Sequence, residues 1–162
     1  MAEIDYVIPS LKIEQTALFN FTDLYKLLKS WFNNAHYDFY EKEYLDVRTE
    51  DGLKNDSIKW EAEREIDRYT KFHIDVRLKL GDVKDVKLKD CIACRGAVSI
   101  QFESYLENDI EDKWEKNFFT KFIREAVDHF ILIGKFRKHR EELKAETYEV
   151  FNQAKSFLNL RK

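Results

Sequence analysis

The chain has 162 residues, a formal net charge of −3, and 44% hydrophobic and 15% aromatic residues. That length is one domain by ordinary size priors, and the apolar content excludes a chain that stays unfolded. The acidic balance, with a pI near 5.9, argues against a general nucleic-acid binder, and two cysteines are too few for a disulfide framework.

In chain order, residues 10–19 alternate, with Leu11, Ile13, Ala17 and Phe19 on one side and Gln15 as the exception. This predicts a strand. Thr22 is the expected N-cap of the next element, with Asp23 in its first turn. Leu24, Leu27, Leu28, Trp31, Phe32 and Ala35 recur at helical spacing, and Asn33-Asn34 suits the end of that helix. Residues 37–47 alternate Tyr and Phe with charges, which predicts a second strand, and Thr49-Glu50-Asp51-Gly52 marks a turn.

Two long alternating runs follow. Ile58, Trp60, Ala62 and Ile66 take one face, against Lys59, Glu61, Glu63 and Glu65. Phe72, Ile74, Val76, Leu78 and Leu80 then oppose His73, Asp75, Arg77 and Lys79. Strands with one wet face belong to an antiparallel sheet. A tight turn near Tyr69-Thr70-Lys71 would set Glu63 opposite Arg77 and Glu61 opposite Lys79. Residues 81–95 read as a polar excursion, and 97–106 as a strand with Val98, Ile100, Phe102 and Leu106 inward, closed by Asn108-Asp109. From Asp112 the period is helical, through Trp114, Phe118, Phe119, Phe122 and Phe130. Gly134 is the expected break before a second helix over 136–158, carrying Leu143, Tyr148, Val150, Phe151, Ala154 and Leu158.

The expected fold is therefore α+β: a curved antiparallel sheet (β-α-β-β-β-β-α-α) packed on a central helix and a helical C-terminal third. One domain covers 1–162, with the sheet and first helix in 1–110 and the C-terminal helices in 111–160. Helix-grip-like and hot-dog-like arrangements both answer to that order. The run Trp60-Glu61-Ala62-Glu63-Arg64-Glu65-Ile66-Asp67, with Tyr105-Leu106-Glu107 and Asp112-Lys113-Trp114-Glu115, resembles small archaeal proteins without an assigned activity. The resemblance implies a cytosolic archaeal protein and nothing more. The start Met1-Ala2-Glu3-Ile4-Asp5 lacks the cationic and apolar regions of a signal peptide, so a cytoplasmic location is expected.

Three weak sites stand out. Cys91-Ile92-Ala93-Cys94 offers two corners of a tetrahedral zinc site, but a closed site needs four ligands and no second Cys pair exists. Plain thiols are the blander reading, and no other cofactor is expected. Arg64 falls on the inward face with Trp60. There a guanidinium either reads the acidic head of a ligand or pairs with an internal Glu. Lys135, Arg137, Lys138 and Arg140 form a basic cluster able to contact phosphates, or a solvated face paired with Glu141, Glu142 and Glu146. No phosphate loop, nucleophile elbow or HExxH motif is present, so no catalytic residue is assigned and an enzyme is not expected. The first reading is a binding or interaction protein that uses its aromatic C-terminal helices for a protein partner or homodimer. A carrier of a small apolar or amphipathic ligand, and an RNA- or ribosome-associated factor, are the alternatives.

Overall fold

The computed structural model describes residues 3–67, 70–90, 92–108 and 121–159. The elements are β1 (Glu3–Phe19), α1 (Phe21–Asn34), β2 (Asp38–Arg48), β3 (Lys54–Glu65), β4 (Thr70–Lys87), β5 (Ile92–Asn108) and α2 (Lys121–Asn159). The strands form one open antiparallel sheet in the order β1-β5-β4-β3-β2. The first strand therefore lies beside the last, and β2 is an edge.

Alternation along each strand decides what lies on each face. The inner face carries Ile58, Trp60 and Ala62 of β3, Phe72, Ile74, Val76, Leu78 and Leu80 of β4, and Ile100, Phe102 and Leu106 of β5, all buried. Both helices cover this face. Leu24, Leu28, Trp31 and Phe32 bury one stripe of α1, and Tyr25 meets Trp60 edge-on at 5.3 Å. Leu143, Val150, Ala154 and Leu158 do the same for α2, and Phe151 meets Phe102 at 6.1 Å.

Local chemistry moves several boundaries. Asn20, not Thr22, caps α1: its side chain accepts from the Asp23 N–H at 3.2 Å, as a short polar side chain in extended backbone does. The β3–β4 turn is earlier than expected. Asp67 Oδ1 accepts from the Thr70 N–H at 3.0 Å, and the Ile66 N–H bonds the Thr70 carbonyl at 3.0 Å. This side-chain turn sets Glu61 opposite Asp75 and Glu63 opposite His73, so the anticipated Glu–Arg and Glu–Lys pairs do not form. The excursion at 81–95 is mostly strand: β4 continues to Lys87 and β5 begins at Ile92. A register shift between Gly81 and Lys84 turns Val83 into the core.

The C-terminal break at Gly134 is a correction. α2 runs unbroken from Lys121 to Asn159. A lone Gly costs a helix interior about 1 kcal/mol but leaves its hydrogen-bond ladder intact. The side chains from Trp114 to Phe130 lie outside the described residues, as do Asp109 and Tyr69.

Two glycines separate crowding from propensity. A Cβ on Gly96 would lie 2.8 Å from the Val83 Cα and Cγ2, whereas one on Gly134 meets nothing within 4 Å. Gly96→Ala should destabilise by about 1–3 kcal/mol, and Gly134→Ala should stabilise by about 0.5–1 kcal/mol. Urea unfolding of both variants checks this; equal effects would mean that the β4 bulge does not press on Gly96.

Candidate functional site

The inward Arg64 is an internal clamp. Its Nη1 donates to the Ala35 carbonyl at 2.7 Å, and its Nη2 donates to Glu146 Oε1 at 2.9 Å. The Tyr37 hydroxyl donates to Glu146 Oε2 at 2.6 Å. The guanidinium lies over the Tyr37 ring at 4.7 Å and the Phe72 ring at 5.2 Å. Burial, then the Glu146 carboxylate, push the Tyr37 phenol far above its ordinary range, which keeps it a donor. The Arg64 guanidinium thus joins β3 to the end of α1 and to the middle of α2. Trp60 is fully buried, and its Nε1 donates to Glu41 Oε2 at 3.2 Å.

The Arg64 and Glu146 side chains are 16% and 20% exposed, so little water screens them. Removing either should cost about 1–3 kcal/mol, since the other loses its main ion partner in a half-buried place. What remains to Arg64 is the Ala35 carbonyl and Glu142 at 3.5 Å, and to Glu146 the Tyr37 hydroxyl. A double-mutant cycle with Arg64→Ala and Glu146→Ala should return a coupling of about 1–2 kcal/mol. Strict additivity would show that the clamp contributes nothing beyond packing.

The basic cluster is split. Lys135 Nζ lies 2.7 Å from Asp67 Oδ2. Arg140 Nη1 donates to Asp5 Oδ1 at 2.6 Å and Nη2 to the Tyr6 carbonyl at 3.1 Å. Arg137 and Lys138 are exposed and have no ion partner among the described residues. His139 turns inward, edge-on to Phe72 at 5.8 Å, with Nδ1 buried and without a partner among the described residues.

Burial holds the His139 imidazole below its ordinary value of 6.5; Asp67 and Glu142 oppose this, and Lys135 and Lys138 reinforce it. A depressed histidine makes the unfolded chain the better proton acceptor. Stability is therefore full above about pH 6.5 and falls as pH drops through the folded value. His139→Phe should flatten the melting temperature between pH 7.5 and 5.5 relative to wild type. Parallel pH profiles for the two proteins would remove His139 as the cause.

Cys91 lies outside the described residues. Cys94 is a free thiol whose Sγ lies 3.6 Å from Asp85 Oδ1. Burial, then Asp85, push that thiol up. Lys54 Nζ holds the same Asp85 at 2.7 Å. Among the described residues, no group of three or more His, Cys, Asp or Glu is placed to hold a metal ion. No described helix is long and apolar enough to cross a membrane. A cleft of about 200 Å³ between α1 and β2, lined by Phe21, Tyr25, Glu41 and Tyr44 among others, opens to the surface.

The richest constellation is on the outer face, where the sequence shows alternation that sets His73 and Asp75 on one side of a strand. Cross-strand register places Glu61, Asp75 and Glu103 in one row over β3, β4 and β5. The next row is Glu63, His73, Tyr105 and Tyr6. The His73 ring stacks on Tyr105 at 4.6 Å, and Tyr105 lies 5.6 Å from Tyr6. His73 Nε2 is 2.7 Å from Glu107 Oε2. Glu61 is held by Lys59 at 2.8 Å and Lys42 at 3.3 Å, while Arg77 reaches Glu103 only at 4.0 Å. Asp75, in the middle, is 8% exposed, and its Oδ1 has no hydrogen-bond partner among the described residues. Burial, then Glu61 and Glu103, raise the Asp75 carboxyl above its ordinary value, against an opposing pull from Lys59 and His73. Burial and Asp75 likewise push the Tyr105 phenol up.

These rows follow from register, which depends on the Asp67 turn, so residue types alone could not align them. No protein-family model matches the chain, and no curated protein matches its sequence.

Proposed function

We propose that this is a non-enzymatic interaction protein that docks a macromolecular partner on the outer face of its sheet. One observation carries the reading. Ile4, Tyr6, Tyr40, Leu45 and Val47, five of the eleven large apolar side chains exposed among the described residues, stand on that face by strand register. They stand at the two edges of that face, on β1 and β2, with the charged rows between them, and no described helix covers them, so they frame one broad surface for a large partner. β2 adds an open edge, with Leu45 59% and Val47 57% exposed. The exposed Ile131 and Ile133 of α2 support a second contact through the C-terminal helix, itself a candidate surface for a partner or a second copy.

We also place the architecture closer to a helix-grip than to a hot-dog arrangement. Pairing of the first strand with the last supports this, as does a C-terminal helix packed along the inner face.

A photocrosslinking residue installed at Tyr6 or at Leu45 tests the reading in cells. The expected result is one shared partner mass from both sites and none from a site at Tyr148 on α2. Adducts obtained only from further probes installed at Ile131 or Ile133 would move the surface to the helix. No adduct from any site would contradict an interaction role.

A further inference from the structure

We infer that the row Glu61–Asp75–Glu103 is a binding site for the guanidinium of an arginine-bearing segment of the partner. This rests on the outer-face reading above and gives it a chemistry.

Like charges directly opposite on neighbouring strands destabilise a sheet. Here three carboxylates are in register. The flanking cations are already committed, Lys59 and Lys42 to Glu61 and Arg77 to Glu103. Asp75 is left nine-tenths buried at the centre of the row, its Oδ1 without a partner among the described residues. A buried carboxylate without a donor is costly, and a donor from outside relieves it.

The form of the site selects among cations. Strand spacing spreads the carboxylates roughly 4.8 Å apart in a line, and they do not converge as ligands of one metal ion would. Beside them runs the ledge of His73, Tyr105 and Tyr6. Carboxylates next to aromatic rings recognise a flat organic cation, which bonds through its edge and stacks through its face. A guanidinium has both properties, whereas an ammonium has only the charge and three rotatable donors. The donors come from the incoming segment; the side chains it displaces, Lys59 and Arg77, are long and flexible.

The test uses the full chain labelled with ¹⁵N, titrated at fixed ionic strength with a short Gly-Ser peptide carrying two arginines. The expected result is a set of shifts centred on Asp75, Glu103 and Tyr105. Asp75→Asn should weaken the affinity about tenfold, Glu103→Gln should weaken it less, and Asp51→Asn in the distant β2–β3 turn should leave it unchanged. The matching lysine peptide should bind several-fold more weakly. Equal binding by wild type and Asp75→Asn overturns the site, as does equal binding of the two peptides. Free arginine amide binding as tightly as the peptide overturns the partner segment in favour of a small-molecule guanidinium. Magnesium ion producing the same shifts overturns it in favour of a metal. Because Asp75→Asn removes a carboxylate that the fold disfavours, its melting temperature should not fall, which separates lost binding from lost folding. Crosslinking through Leu45 that persists while the arginine peptide fails would retain the docking surface and reject only this chemistry.

Discussion

Everything in this molecule depends on the pleat of one antiparallel sheet whose two faces meet different surroundings. Period-two alternation sends Trp60, Phe72, Ile74, Val76 and Phe102 to one side, all fully buried. Burial of such side chains contributes about 1.5–3 kcal/mol each. A one-residue slip would exchange them with Glu61, His73, Asp75 and Glu103, so register is tightly specified. With α1 and α2 both on the inner face, the outer face is left, among the described residues, to its own side chains. The described fold thereby has an apolar side under the helices and an opposite side bearing rows of charge and aromatic rings.

The helices are held by apolar stripes and located by a few polar links. Arg64 reaches the Ala35 carbonyl at the end of α1 and Glu146 in α2, while Arg140 and Lys135 of α2 reach Asp5 and Asp67. The exposed pairs among these add little energy. Their effect is directional: they choose where along the sheet α2 lies. The Arg64 group is the strongest of them because it is half-buried and aromatic rings flank it.

Much of the fold was legible in the residues, because alternation and helical spacing are local signals. The stripe of α1 and the inward sets of β3 and β4 follow directly from sequence periodicity. What could not be read depended on contacts distant in sequence. The Asp67 turn shifted the β3–β4 register, and with it every cross-strand pair on the outer face. Gly134 suggested a break where the neighbouring turns carry the helix through. Arg64 was visible as an inward charge that needed a partner, but Glu146 lies 82 positions away in the chain. Asp75 was visible as an outward residue sharing a strand face with His73; its isolation arises because Lys59 and Arg77 turn to other carboxylates.

That isolation links fold to function. A sheet face that served only as a solvated surface would neutralise its acidic row with the lysines and arginines already beside it. Here one oxygen of the central carboxylate has no donor among the described residues, next to stacked rings, on a face that also exposes Leu45 and Val47. The most direct measurement is the titration of the Asp75 carboxyl by ¹³C NMR in the free protein. An uncompensated, buried Asp75 titrates above the ordinary aspartate range, near 3.9. A midpoint at or below that range would mean that Lys59 or Arg77 already satisfies Asp75, and the outer row would then be a self-neutralised surface with no place for an incoming cation.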